Sequence, residues 1–182
     1  MICKVRRGVF ETNSSSTHSV CISKKSVSNL SLPKTIIFKP AEFGWSFNIL
    51  NTPEDKASYL YSAFFSMYPS KEDVAKISEW KNYLYEALNK YGIEAEFVEP
   101  ENDGSSRPYC DVYNSFVYDS EYKGFEAFIK AIRNEKHLIR FLFSSASIVI
   151  TGNDNSEMPI QVWEKKREIW KNEDNGKVSW YA

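Results

Sequence analysis

Glycine is scarce in this chain, with seven in 182 residues. No Gly-x-Gly-x-x-Gly run occurs, and Gly8-Val9-Phe10-Glu11-Thr12-Asn13-Ser14 lacks the second glycine and the lysine of a phosphate loop. Little backbone is free to approach a nucleotide closely, so no cofactor is expected. Histidine is rarer still: His18 and His137 are the two present. Neither has a helical His or Glu partner at ligand spacing, so no metal site is expected. Gly152-Asn153-Asp154-Asn155-Ser156-Glu157 offers oxygen atoms without the spacing of a calcium loop and reads as a turn.

Three cysteines, Cys3, Cys21 and Cys110, form no Cys-x-x-Cys pair. An odd, scattered set reads as reduced thiols packed as small hydrophobes. Cys3 and Cys21 fall on segments that are candidate neighbouring strands. No apolar run approaches membrane-spanning length, and Met1-Ile2-Cys3-Lys4 leads into no signal-peptide core. The expectation is a cytoplasmic protein with no membrane partner. An excess of one charge is also missing. With 23 basic and 24 acidic residues the net charge is −1. That excludes mimicry of a polyanion over the whole surface and a general nucleic-acid coat. Any charged partner must be met by a local patch.

Aromatic residues are plentiful at 15%, within 42% apolar residues. A core can form without disulfides or metals. The length fits one domain over 1–182, with the helical pair at about 53–91 as a candidate subdomain. Ile2–Arg6 alternates and reads as a strand, and so do His18–Ser23 and Lys34–Lys39. Glu42–Phe47 reads as an irregular edge with Gly44 as its bend. Thr52-Pro53-Glu54-Asp55 is a helix start, with Thr52 as N-cap and Asp55 placed to close a capping box. Ala57, Leu60, Tyr61, Phe64, Phe65 and Tyr68 follow at helical spacing. Ser70-Lys71-Glu72-Asp73 starts a second helix with Val74, Ile77, Trp80, Leu84, Ala87, Leu88 and Tyr91 on one face and Gly92 as its cap.

Ile93–Val98 then reads as a strand, and Tyr109–Tyr118 as another. Gly124–Asn134 and Glu135–Phe143 read as helices, and Ala146–Thr151 as a buried strand. Gln161–Lys171 is a candidate helix, since Trp163 and Trp170 are seven apart. A strand at Lys177–Tyr181 follows the Asn175-Gly176 turn. The predicted class is α+β: a mixed, mainly antiparallel sheet with three to four helices packed on it.

The least ordinary stretch is Arg6 to Ser19. A basic and apolar start meets Gly8, then Val9, Phe10 and Glu11, then eight consecutive small polar or imidazole residues ending in His18 and Ser19. Gly8, Phe10, Glu11, Asn13, Ser14, Ser15 and His18 fit two uses. They brace the fold through local side-chain to backbone bonds, or they present donors to an anion. Glu11, His18 and a serine would also be the residues of an enzyme or small-ligand binder. Nucleophilic sites assemble across a fold, however, and no coherent constellation stands out in the sequence; the expectation is a protein that is not an enzyme.

Charge patterning is more informative. Glu94, Glu96, Glu99, Glu101 and Asp103 form an acidic run with no Lys or Arg inside it. It is either a solvated edge or a patch facing a basic, nucleic-acid-binding protein. Arg6, Arg7, Lys165, Lys166 and Arg167 are candidate phosphate contacts, in clusters small enough that DNA binding through them would be weak and salt-sensitive. Lys4, Lys24 and Lys25 add further small clusters. Trp45, Tyr109, Tyr113, Trp163 and Trp180 lie outside clean helical faces and suit either core packing or a protein interface.

The run Arg7-Gly8-Val9-Phe10-Glu11-Thr12-Asn13-Ser14-Ser15-Ser16-Thr17-His18-Ser19 resembles the opening of a family of small proteins from phages and prophages of gut bacteria. Phe141-Leu142-Phe143 and Ile150-Thr151-Gly152-Asn153-Asp154 resemble that family's later block. The whole chain also resembles the type II anti-CRISPR proteins, inhibitors of the Cas9 nuclease. The resemblance implies a host-defence-evasion protein that binds the Cas9–guide RNA complex in the bacterial cytoplasm, without catalysis. It carries over no catalytic residue.

Overall fold

A computed structural model describes residues 16–68, 73–100, 125–153 and 157–181. The expected strands at Ile2–Arg6 and Tyr109–Tyr118 lie outside them. The described residues form β1 (Ser16–Ser23), β2 (Thr35–Phe38), β3 (Asn48–Leu50), α1 (Pro53–Met67), α2 (Val74–Asn89) and β4 (Glu94–Phe97). They continue with α3 (Phe125–Ile132), α4 (Glu135–Phe143), β5 (Ile148–Asn153), α5 (Ile160–Asp174) and β6 (Val178–Tyr181). The fold is α+β, with an antiparallel sheet in the order β3-β5-β1-β6 and a separate parallel pair, β2-β4.

Both faces of the larger sheet are covered. Side chains alternate across a strand. Val20 and Ile22 of β1, Val149 of β5, Leu50 of β3 and Tyr181 of β6 point to one face, into a core shared with α1 to α4. Cys21, Ile148, Ile150 and Val178 point to the other, against Val162 and Ile169 of α5. This explains why β5 reads as an unbroken apolar run rather than an alternating one. α1, α2, α3 and α4 contribute Leu60, Trp80, Phe128 and Ile139 to one continuous cluster.

Local signals set several boundaries. Thr52 Oγ1 accepts from the Asp55 amide at 3.1 Å, capping α1. α2 ends at Asn89, and the turn that follows closes at Gly92, whose φ of 73° lies in the left-handed region. Its buried stripe begins at Ile77, and Val74 in the first turn is exposed. The Glu42–Phe47 segment forms a single bridge, and strand pairing begins later, at β3.

One reading changes. Gly152 and Asn153 are not a turn but the end of β5, where Gly152 pairs with Thr17. The Phe47 ring lies over Gly152, and a Cβ there would sit 2.3 Å from it. The glycine is the floor beneath an aromatic ring, not a reversal of the chain.

Candidate partner-binding surface

Of the N-terminal motif, Gly8, Phe10, Glu11, Asn13, Ser14 and Ser15 lie outside the described residues, as do Arg6, Arg7, Glu101 and Asp103. His18 is described. β1 carries it opposite Thr151, with its side chain on the α1 face of the sheet. It is buried, and its Nδ1 lies 3.1 Å from the Tyr59 hydroxyl. The Tyr59 ring meets Phe43 edge-on, with centroids 5.5 Å apart. Desolvation pushes the imidazole pKa down to about 4. At neutral pH His18 is an uncharged link between β1 and α1. Of its companions in the enzyme reading, Glu11, Ser14 and Ser15 are beyond the described residues, and Ser16 opens β1. His137 sits on α4 with Nδ1 3.2 Å from the Ala131 carbonyl oxygen.

Cys21 is sealed under α5. Its Sγ donates to the Ala146 carbonyl at 3.4 Å, and burial pushes the thiol up to about 12. It is a packing residue at ordinary pH. Cys3 and Cys110 are not among the described residues. Among those residues no three His, Cys, Asp or Glu side chains gather as a metal site.

The acidic run takes a definite shape. β4 pairs in parallel with β2, placing Glu94 beside Thr35 and Glu96 beside Ile37. Ala95 and Ile36 turn inward and are buried. Glu94 and Glu96 therefore project from the outer face, where Ile37 is 45% exposed. Glu99 continues the run beyond the strand and pairs with Lys81 of α2. Lys81 in turn lies 5.5 Å from the Tyr61 ring centroid. Glu94 and Glu96 have no cationic partner among the described residues. The arrangement is a small, outward carboxylate pair with an apolar neighbour.

The basic cluster does not converge. Successive residues of a helix point about 100° apart. Lys165 pairs with Glu168 at 2.8 Å, and Arg167 lies 5.4 Å from the Trp163 ring centroid. Lys166 is half-buried, and desolvation lowers its pKa. These three cations leave α5 in three directions. Trp163, Trp170 and Ile160 are exposed along the same helix, and Trp45 is exposed at 60%.

A cleft that sequence reasoning did not anticipate opens where β1 and β6 end. Its volume is about 450 Å³, and Ser23, Lys24, Lys25, Asn172 and Lys177 line it. The Lys24-Lys25 pair is visible in the sequence. That Lys177 joins it follows from the β1–β6 register, which no local signal announces.

No protein-family model, curated protein or solved structure matches this chain.

Proposed function

We propose that this protein acts by docking, as a phage- or prophage-encoded, non-catalytic inhibitor that binds a guide-RNA-loaded Cas9 nuclease in the bacterial cytoplasm and blocks DNA engagement or cutting. The observation that carries the reading is the carboxylate pair of Glu94 and Glu96 on the outer face of β4. A nuclease of this kind reads its target-adjacent bases with arginines and holds nucleic acid in positively charged channels. A carboxylate pair beside an exposed Ile37 is complementary to such a channel wall in sign and in its mix of charge and apolar surface. The near-zero net charge fits one localised contact rather than whole-surface mimicry. The resemblance of residues 7–19 to phage and prophage proteins supplies the biological setting.

The reading is tested by mixing the purified protein with assembled Cas9–guide complex and passing it over a sizing column, with a parallel cleavage assay. Co-elution and loss of cleavage are expected. Separate elution together with undiminished cleavage would end it.

A further inference from the structure

We propose that the cleft at the β1–β6 ladder end is a binding site for a small phosphorylated molecule, held by Lys24, Lys25 and Lys177. This does not rest on the docking reading, since the cleft lies in a different sheet from Glu94 and Glu96.

β1 and β6 are antiparallel, and Ser23 pairs with Val178. The next residues are therefore Lys24 and Lys177, and the Lys24 amide donates to the Lys177 carbonyl oxygen at 2.8 Å. Like charges directly opposite across a ladder repel. Lys25 adds a third to the same cleft. Among the described residues no carboxylate lies within ion-pair distance of any of the three ammonium groups. The fold brings three lysines to one concavity, and among the described residues none of them has an acidic partner.

Lysines often cluster at a helix C-terminus to satisfy its last carbonyls. Here α5 ends without that help. The Lys171 carbonyl accepts from Asn175, the Asn172 carbonyl from the Lys177 amide, and the Glu173 carbonyl from the Gly176 amide. None of these bonds uses the Lys177 side chain.

Shape decides the class of ligand. A cleft of about 450 Å³ falls in the range of small-molecule sites. Three lysines lining one cleft from two strand ends suit a multiply charged phosphate rather than a single carboxylate. A nucleic-acid strand would need a track of cations leading away from the cleft. Lys165, Lys166 and Arg167 do not make one, since they diverge around α5.

The test uses sodium pyrophosphate and inorganic phosphate as probes. The full chain, isotope-labelled, is titrated at low salt and followed by the amide resonances of Lys24, Lys25 and Lys177, with affinity read by calorimetry. Saturable shifts at these amides are expected, with pyrophosphate tighter than phosphate. The K24Q/K25Q/K177Q variant should bind pyrophosphate at least about tenfold more weakly. Lys136→Gln, an exposed change on α4, should bind as the parent does. Thermal melting guards against misfolding. Without ligand the triple variant should melt at or above the parent, because repulsion is relieved. Pyrophosphate should raise the melting temperature of the parent alone. Absence of saturable shifts, or equal binding by the triple variant, overturns the site. A short single-stranded oligonucleotide that binds at this cleft more tightly than pyrophosphate overturns the small-molecule assignment.

Discussion

Lys56 Nζ donates to the main-chain carbonyl of Ser144 across 2.9 Å, deep in the protein. It donates again to the Ser147 carbonyl at 3.1 Å. Lys56 belongs to the first turns of α1, and residues 144–147 link α4 to β5. A fully buried ammonium group therefore fastens the first helix to the entry of the central strand. Ser147 completes the knot, accepting from the Ser23 amide at 2.9 Å and donating to the Arg140 carbonyl at 2.7 Å. Desolvation lowers the Lys56 pKa from 10.5 to about 8.

Lys56→Met sets two effects against each other. Two buried carbonyls lose their donor, at about 1–3 kcal/mol each. Removing a buried charge returns roughly 3 kcal/mol at neutral pH. The variant should lie within about 3 kcal/mol of the parent at pH 7 by these magnitudes. The difference should then grow with pH. Between pH 8 and 10.5 the unfolded chain holds the Lys56 proton and the folded chain has released it. Parent stability therefore rises with pH in that window, while the variant lacks this contribution. Denaturant titrations of both proteins across the window measure it. Parallel profiles would show that Lys56 carries no buried charge.

His18 predicts the opposite flank of the pH profile. Its folded pKa is about 4, against a usual value of 6.5. Between those values the unfolded chain binds the proton and the folded chain does not, so stability falls as pH drops from 6.5 towards 4. The loss is on the order of 3 kcal/mol. His18→Gln should flatten this part of the profile while costing stability at pH 7, through the altered contact with Tyr59. A resonance assigned to His18 and titrating near 6.5 in the folded protein would contradict the burial.

Gly152→Ala should destabilise the protein by about 1–3 kcal/mol, the usual range for forcing atoms into a filled site. The added Cβ would meet the Phe47 ring at 2.3 Å, and the ring must leave its place over β5. Pairing Gly152→Ala with Phe47→Ala separates the causes. If the clash is the mechanism, alanine at 152 costs far less once the ring is gone. Equal costs in both backgrounds would point to the backbone instead.

The elements with local signals were legible from residue types. Thr52 and Asp55 mark the start of α1 because a cap is made within one turn. The apolar run of β5 announces burial on both faces. Pairing is not local, so the order β3-β5-β1-β6 and the parallel β2–β4 pair could not be read in advance. Gly152 was misread because Asn153, Asp154 and Asn155 are turn formers and the ring above it comes from a distant segment. On α5 the seven-residue spacing of Trp163 and Trp170 indicated a helix correctly. Val162 and Ile169 share that spacing and carry the burial, while both tryptophans face outward. Spacing identifies a stripe but not which stripe meets the core. The lysine cleft escaped notice for the same reason as the strand order, since Lys24 and Lys177 meet only through the ladder.

Glu94→Lys with Glu96→Lys reverses two exposed charges whose neighbours across the pair are Thr35 and Ile37, neither of them charged. No cross-strand ion pair is broken, so the stability change should stay within about 0.5 kcal/mol, as for exposed sites elsewhere. Docking on a basic nuclease surface should suffer far more, because attraction becomes repulsion at two points. At least about a tenfold loss of affinity for Cas9–guide complex is expected, and it should be largest at low salt, where screening is least. Glu126→Lys, an exposed reversal on α3, serves as the comparison and should change binding little. If both variants bind and inhibit alike, the contact lies elsewhere on the protein and Glu94 and Glu96 are no more than a solvated strand face.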